Sequence, residues 1–422
     1  MEVKPISDIR TRRDFHDAFQ SAMSGAHETL RALWHFEKGQ NLPKSYLVEF
    51  HPKESCEQTH RSNTSTVFAA LERATKGYGA CLRRTDDDTL FWLGMSGNEG
   101  SAEFIVDCLN PRFLVFHTIS NAVDSDRFVL RRLTQHQPEF DLFWFPVAFL
   151  ERTEMRERVI GWESHFEPWL DEDLLPFPQA GSEDSVSGPG APDDEAENFE
   201  DIEDEPSVSV LKQRPRNVHF EYPQAFEIYK RLRELPDLLP DVPLSTVYAE
   251  RLDEDSTSYA RARLKSNGKI TGRGPDFSAY LQMVDGTVDE YARVVAGLES
   301  KYWLRVEASE THESLLVRVR GEPFCLRFSR GIDVSRLLEL MFNCSVPFRL
   351  MGEPEQLAED YFSVEAMDLH VGQPVAFELA PRFMRIYLYE GTCGNTLVRI
   401  IRSLQHYVDS RLTHPSLWGD ER

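Results

Sequence analysis

The sequence predicts an α+β protein: two α+β domains of short antiparallel strands with flanking helices, joined by a disordered acidic linker. Three observations lead there. Apolar residues recur at spacings of three and four in several windows, the mark of amphipathic helices. Between those windows lie short runs of β-branched and aromatic residues bounded by Gly, Asp and Pro, the mark of strands. Finally, residues 171–206 carry 14 Asp and Glu and no Lys or Arg, which is more than half of the net charge of −23. Such a segment repels itself and has too little apolar surface to offset the entropy of ordering. The expected organisation is therefore a domain at 1–171, a linker at 172–208 and a second domain at 209–422.

In the first half, Phe15, Phe19, Met23, Ala26, Leu30 and Leu33 mark a helix over 13–35. Tyr46–Phe50 is a short strand, and Asn63 or Thr64 caps a helix that ends near Gly77. Strands follow at 80–84, 90–95, 102–107 and 113–119, with Asp86, Asp87 and Asp88 in a turn. Asp124 is the expected cap of a third helix, and an aromatic block, Phe140 to Phe145, closes at Pro146.

The second half opens with a helix at 224–234. Asn267-Gly268 then gives a hairpin signal after an alternating run at 258–266. Thr287 or Asp289 is the expected start of the next helix, and strands are expected at 303–308, 315–320 and 324–329. Asp333 caps another helix, and strands at 375–379 and 383–389 lead to a last one. There Leu397, Ile400, Ile401 and Leu404 form an apolar stripe, with Arg399, Arg402 and Arg411 on the expected wet side. The halves share an order of elements, which a duplicated unit would produce. A competing match of Pro111-Arg112-Phe113 with Pro381-Arg382-Phe383 implies another offset, so ordinary strand–helix alternation stays open beside duplication.

Composition narrows the function. Hydrophobic residues make up 41% of the 422 positions, too many for a wholly disordered chain. No run approaches the length of a membrane-spanning helix, and mean hydropathy is −0.44. The six cysteines show no CxxC spacing, and the first residues lack the apolar core of a signal peptide, so a reducing, cytoplasmic setting is expected.

Catalytic motifs are absent at the level of spacing. There is no phosphate-binding GxxxxGK[ST] and no GxSxG elbow, and Gly272-Arg273-Gly274 is too short for a dinucleotide fingerprint. The 13 histidines include no HExxH pair and no zinc-type His–Cys set, so neither a metal site nor a cofactor is expected. Glu49-Phe50-His51-Pro52-Lys53 has the wrong spacing for a metal-dependent nuclease. Triads and metal sites can nevertheless assemble from distant positions.

Two positive signals remain. Arg261, Arg263 and Lys265 alternate on one strand, and Lys269 and Arg273 lie on its return, so the hairpin offers a basic face. Phosphate contacts are one use of that face, with Arg318, Arg320, Arg327 and Arg330 as a second row. The plain alternative is pairing with Asp253, Glu254 and Asp255 just upstream. Phe143, Trp144 and Phe145 form either a protein-interaction hot spot or a core plug. The leading function is a non-catalytic binding or assembly subunit of a cytoplasmic multiprotein complex with a protein partner. Nucleic-acid binding through 258–273, gated by the acidic linker, is the second reading, and an enzyme of unidentified class the third.

Overall fold

Strand β1, Lys44–Phe50, is buried at all seven positions, so both its faces must meet a core. Side chains alternate along a strand, which sends Ser45, Leu47 and Glu49 one way and Tyr46, Val48 and Phe50 the other. Leu47 enters the main core, while Tyr46, Val48 and Phe50 enter a second, smaller one. The rest of the fold is arranged around this strand.

The computed structural model describes residues 5–33, 42–52, 63–76, 79–97, 100–134, 137–166, 217–234, 243–252, 258–310, 315–370 and 372–418. Among them the chain forms two sheets. The larger runs β2 (Ala80–Arg84), β3 (Leu90–Gly97), β4 (Gly100–Asp107), β5 (Phe113–Thr118), β1, β11 (Lys269–Arg273), β10 (Tyr259–Lys265), β9 (Leu244–Leu252), β7 (Arg158–His165) and β8 (Asn217–Glu221). Strand β6 (Phe140–Leu142) pairs with the second half of β1, beyond the point where β11 stops. The smaller sheet runs β13 (Leu315–Arg320), β12 (Trp303–Glu310), β18 (Phe383–Tyr389), β17 (Gln373–Ala380), β16 (Tyr361–Asp368) and β15 (Leu350–Ala358). Strand β14 (Phe324–Arg327) also pairs with β18. Both sheets are antiparallel apart from a short parallel contact between β12 and β18.

The fold is thus mixed and antiparallel-rich, as expected, but the division of the chain differs. Strand β7 precedes the 172–208 segment, and it is hydrogen-bonded to β8 and β9, which follow it. One continuous sheet therefore draws on both halves of the sequence. The linker itself lies outside the described residues. Duplication gains no support either: β2 to β5 form a meander in the larger sheet, whereas β12 to β14 lie in the smaller one.

The helices are α1 (Arg12–Leu33), α2 (Thr64–Thr75), α3 (Ala122–Asp126, continued by a π turn at Arg127–Leu133), α4 (Val147–Glu151), α5 (Ala225–Arg233), α6 (Phe277–Tyr302), α7 (Val334–Met341) and α8 (Asn395–Tyr407). Asn63 and Asp333 cap α2 and α7, each side chain accepting from the backbone N–H three residues on. Two expected caps move. Asn121, not Asp124, caps α3. Helix α6 starts at Phe277 under the Asp276 cap, which leaves Thr287 and Asp289 inside it. The physical reason is that the buried stripe of α6 extends back through Met283 and Tyr280, and Thr287 satisfies its hydroxyl on the Met283 carbonyl.

Helices α6 and α8 join the two sheets. The main core contains Tyr280, Tyr291 and Val295 of α6, Leu397 and Ile401 of α8, and Phe377 and Ile386 of the smaller sheet. Helix α2 and the π turn cover the other face of β1 through Leu71 and Phe128. No helix among the described residues is long and apolar enough to cross a membrane.

Candidate functional site

Because Glu49 shares its side of β1 with Leu47, a carboxylate is carried into the main core, fully buried. Burial alone would force a proton onto it. Arg112, just before β5, answers that charge: its Nε donates to Glu49 Oε1 at 2.8 Å. Its two terminal nitrogens fork onto Glu299 of α6 at 3.0 and 2.5 Å. The Cys393 thiol donates to Glu49 Oε2 at 3.1 Å, and the Gly394 N–H donates to Glu299 at 2.9 Å. Gly394 permits this approach, since a Cβ there would lie 2.9 Å from the Val295 carbonyl oxygen. Burial, outweighing Arg112, leaves the Glu49 carboxyl above its ordinary range, and burial also raises the Cys393 thiol.

His370, in the turn after β16, completes the cluster. Glu49, His370 and Cys393 each place one donor atom so that all lie within 4.8 Å of one another. Among the described residues neither ring nitrogen of His370 has a hydrogen-bond partner, although the residue is fully buried. Desolvation lowers its pKa to about 3, so the ring is neutral.

A second network lies beside the first. Arg399 of α8 is completely buried, and it donates to Asp141 of β6 at 2.5 Å and to Asp368 of β16 at 2.6 Å. Asn395 and Trp144 also donate to Asp141, while Thr396 and the His370 N–H donate to Asp368. Burial would raise Asp141, but Arg399 outweighs it and holds the carboxyl below its ordinary range. The arginine expected on the wet side of the last helix is therefore a rivet: it ties one strand of each sheet to α8.

A family model described as "MJECL33-like protein" matches residues 3–420. The chain belongs to the MJECL33-like protein family. A relative, "Uncharacterized protein MJECL33" of Methanocaldococcus jannaschii, is 23% identical over 425 residues, covering 96% of this chain and 94% of its own. No solved structure matches the chain.

In this family member the basic hairpin forms as expected, with Gly268 at φ +76° in its turn. Among the described residues its cations have internal partners on other elements; Asp253, Glu254 and Asp255 lie outside the described set. Arg261 bonds Glu250 of β9, Arg263 bonds Glu163 of β7, and Lys269 bonds Asp126. Lys269 is only 1% exposed and Lys265 only 7%, while Arg273 lies exposed at the strand end. A phosphate would have to displace these carboxylates first. The supposed second basic row lies elsewhere: Arg318 and Arg320 are on β13 and Arg327 on β14, in the other sheet. Phe143 and Phe145 are fully buried, with Phe143 stacked on Tyr291, so the core role of this block prevails over an exposed hot spot. Trp144 is partly buried, bonded to Asp141 and covered by Arg402.

The smaller sheet offers what that aromatic block does not. Its inner face, including Val364, Phe377 and Ile386, is core. Among the described residues nothing covers the methionines of its outer face. Register places Met351 beside Met367, Glu353 beside Glu365, and Ala376 beside Tyr387 on that side. Tyr361, Phe383 and Tyr389 line the same surface, where Tyr389 donates to Glu365 and Arg385 pairs with Glu378. Met351 and Met367 are 49% and 42% exposed. Strands β15 and β16 were not expected from the sequence; β15 buries only Leu350 and so carries no apolar alternation.

Proposed function

We propose that this chain is a non-catalytic binding or assembly subunit of a cytoplasmic multiprotein complex, with its protein partner seated on the outer face of the smaller sheet. The observation that carries the reading is the composition and order of that face. Tyr, Met and Arg are the side chains that protein interfaces concentrate. Here Tyr389, Tyr387 and Arg385 are held by Glu365 and Glu378, so little rotamer entropy is left to lose on docking. Glu353, Glu355 and Glu365 border the methionines, which selects a partner bearing basic and apolar residues and repels phosphate. The described cysteines are free thiols, which supports a reducing compartment.

A photo-crosslinking residue at Tyr387 tests the surface, with one at Met155, which is 70% exposed on another part of the molecule, as the comparison. The partner is expected to crosslink at 387 and not at 155. With that partner purified, Tyr387→Ala weakens binding roughly 30-fold, as loss of about 2 kcal/mol requires. Glu353→Lys with Glu355→Lys weakens it further and flattens its salt dependence. Equal crosslinking at both sites, or unchanged affinity in Tyr387→Ala, overturns the reading.

A further inference from the structure

We propose that Glu49, His370 and Cys393 hold a divalent transition-metal ion, zinc by the character of the donors, as a structural staple between the two sheets. The three residues come from three places: β1 of the larger sheet, the turn after β16 of the smaller sheet, and the residue before the N-cap of α8. Their donor atoms already lie within 4.8 Å of one another. A thiolate, an imidazole and a carboxylate are a donor set that zinc takes and that magnesium and calcium do not.

His370 supplies an independent observation. A buried imidazole with neither nitrogen hydrogen-bonded leaves polar atoms unsatisfied, which folded proteins rarely tolerate. Its neutral ring has a lone pair to give, and its backbone N–H is fixed by Asp368 at 2.9 Å, which holds the turn in place. Cys393 is 1% exposed, Glu49 and His370 are fully buried, and no disulfide uses the thiol.

Charge balance points the same way. Around the cluster, the carboxylates of Glu49, Glu299, Asp141 and Asp368 face the guanidinium groups of Arg112, Arg349 and Arg399. One negative charge is left over, and of these seven side chains only Arg112 is more than marginally exposed. Metal binding removes the Cys393 proton to solvent, forms metal–sulfur, metal–nitrogen and metal–oxygen bonds, and breaks the hydrogen bond from the thiol to Glu49. The surplus then becomes two negative charges, which a dication neutralises. The fourth tetrahedral position falls to a non-protein ligand such as water. A metal-free cluster would instead keep the thiol proton on Cys393, hydrogen-bonded to Glu49.

The test uses the full chain, expressed without a histidine tag and purified without chelator, with metal content read by plasma mass spectrometry. About one zinc per chain is expected. Exchange with cobalt is expected to give thiolate-to-cobalt charge-transfer absorption. In Cys393→Ala and in His370→Gln, metal content is expected to fall at least tenfold and the cobalt absorption to vanish, with circular dichroism reporting the fold. Where a variant does not fold, the wild-type chain decides alone: refolding from urea with excess cobalt must yield the thiolate band. Wild-type protein that takes up no stoichiometric metal overturns the proposal. So does cobalt bound without a thiolate band, or a folded Cys393→Ala that keeps its full complement. None of these outcomes depends on the partner surface.

Discussion

Replacing Arg399 by Met is expected to lower the free energy of unfolding by about 3–5 kcal/mol, the cost of stranding buried carboxylates when their cation is removed. Arg399 has no exposed surface, and Asp141 and Asp368 are 1% and 0% exposed. Both carboxylates keep other donors, but those are neutral groups: Asn395 and Trp144 for Asp141, Thr396 for Asp368. They cannot replace a full positive charge in a dry interior. Since a whole domain is stable by only about 5–15 kcal/mol, the single variant should unfold at a much lower urea concentration. The triple variant Arg399→Met, Asp141→Asn, Asp368→Asn removes both charges with their cation. It is expected to recover a large part of the loss, because amides of similar shape need no counter-ion. Urea midpoints of the wild type and both variants measure this. An Arg399→Met protein within about 1 kcal/mol of the wild type would mean that water reaches the network and that it does not rivet the sheets.

The same residue shows where sequence reasoning stops. Helix α8 was legible from the stripe of Leu397, Ile400, Ile401 and Leu404, and the stripe is buried. A helical wheel then assigns Arg399 to water. In the fold every residue of α8 is buried except Arg402, which is partly so, because both sheets and α6 enclose the helix. The partners of Arg399 lie 258 and 31 positions away, and no local pattern announces them. Glu49 left a faint trace: an acid inside the apolar strand that ends in Phe50. Its spacing to Lys53 does not fit the acid-x-lysine element of a nuclease, while its actual neighbours, Arg112, His370 and Cys393, are scattered along the chain. Hairpin β10–β11 was legible because Asn267-Gly268 encodes its turn locally. Its ion pairs were not, since they reach across neighbouring strands to Glu250 and Glu163.

Acid is expected to destabilise the protein before most of its carboxylates titrate, through histidines buried in their neutral form. His117 lies among Phe15 and Phe19, with Nδ1 against the Ser45 hydroxyl at 2.9 Å. Desolvation lowers its pKa to about 4; Asp107 pulls it up and Arg12 pushes it down. His406 is lowered well below its ordinary range, first by burial and then by Arg402 and His165. In the unfolded chain both rings protonate near pH 6.5. Below that pH the unfolded state therefore binds protons that the folded state refuses. Stability is fully present above about pH 6.5 and is lost as pH falls toward the folded pKa values. For His117 the loss between pH 7 and pH 5 is about 2 kcal/mol, and His406 adds to it in the same direction. Asp285 works in the other direction. Its pKa is pushed up to about 6 by burial and by Asp107 and Asp289, so the folded state gains a proton in the same window. The residue keeps part of its surface in water, and solvent screening trims that gain below the histidine loss. Urea midpoints at pH 7 and pH 5 measure the sum. In His117→Gln, which keeps a hydrogen-bonding group near Ser45 but cannot be protonated, the difference between the two pH values should shrink by about 2 kcal/mol. A variant whose pH dependence matches the wild type would show that His117 takes up its proton without unfolding, and that the pocket formed by Phe15 and Phe19 admits the charged ring.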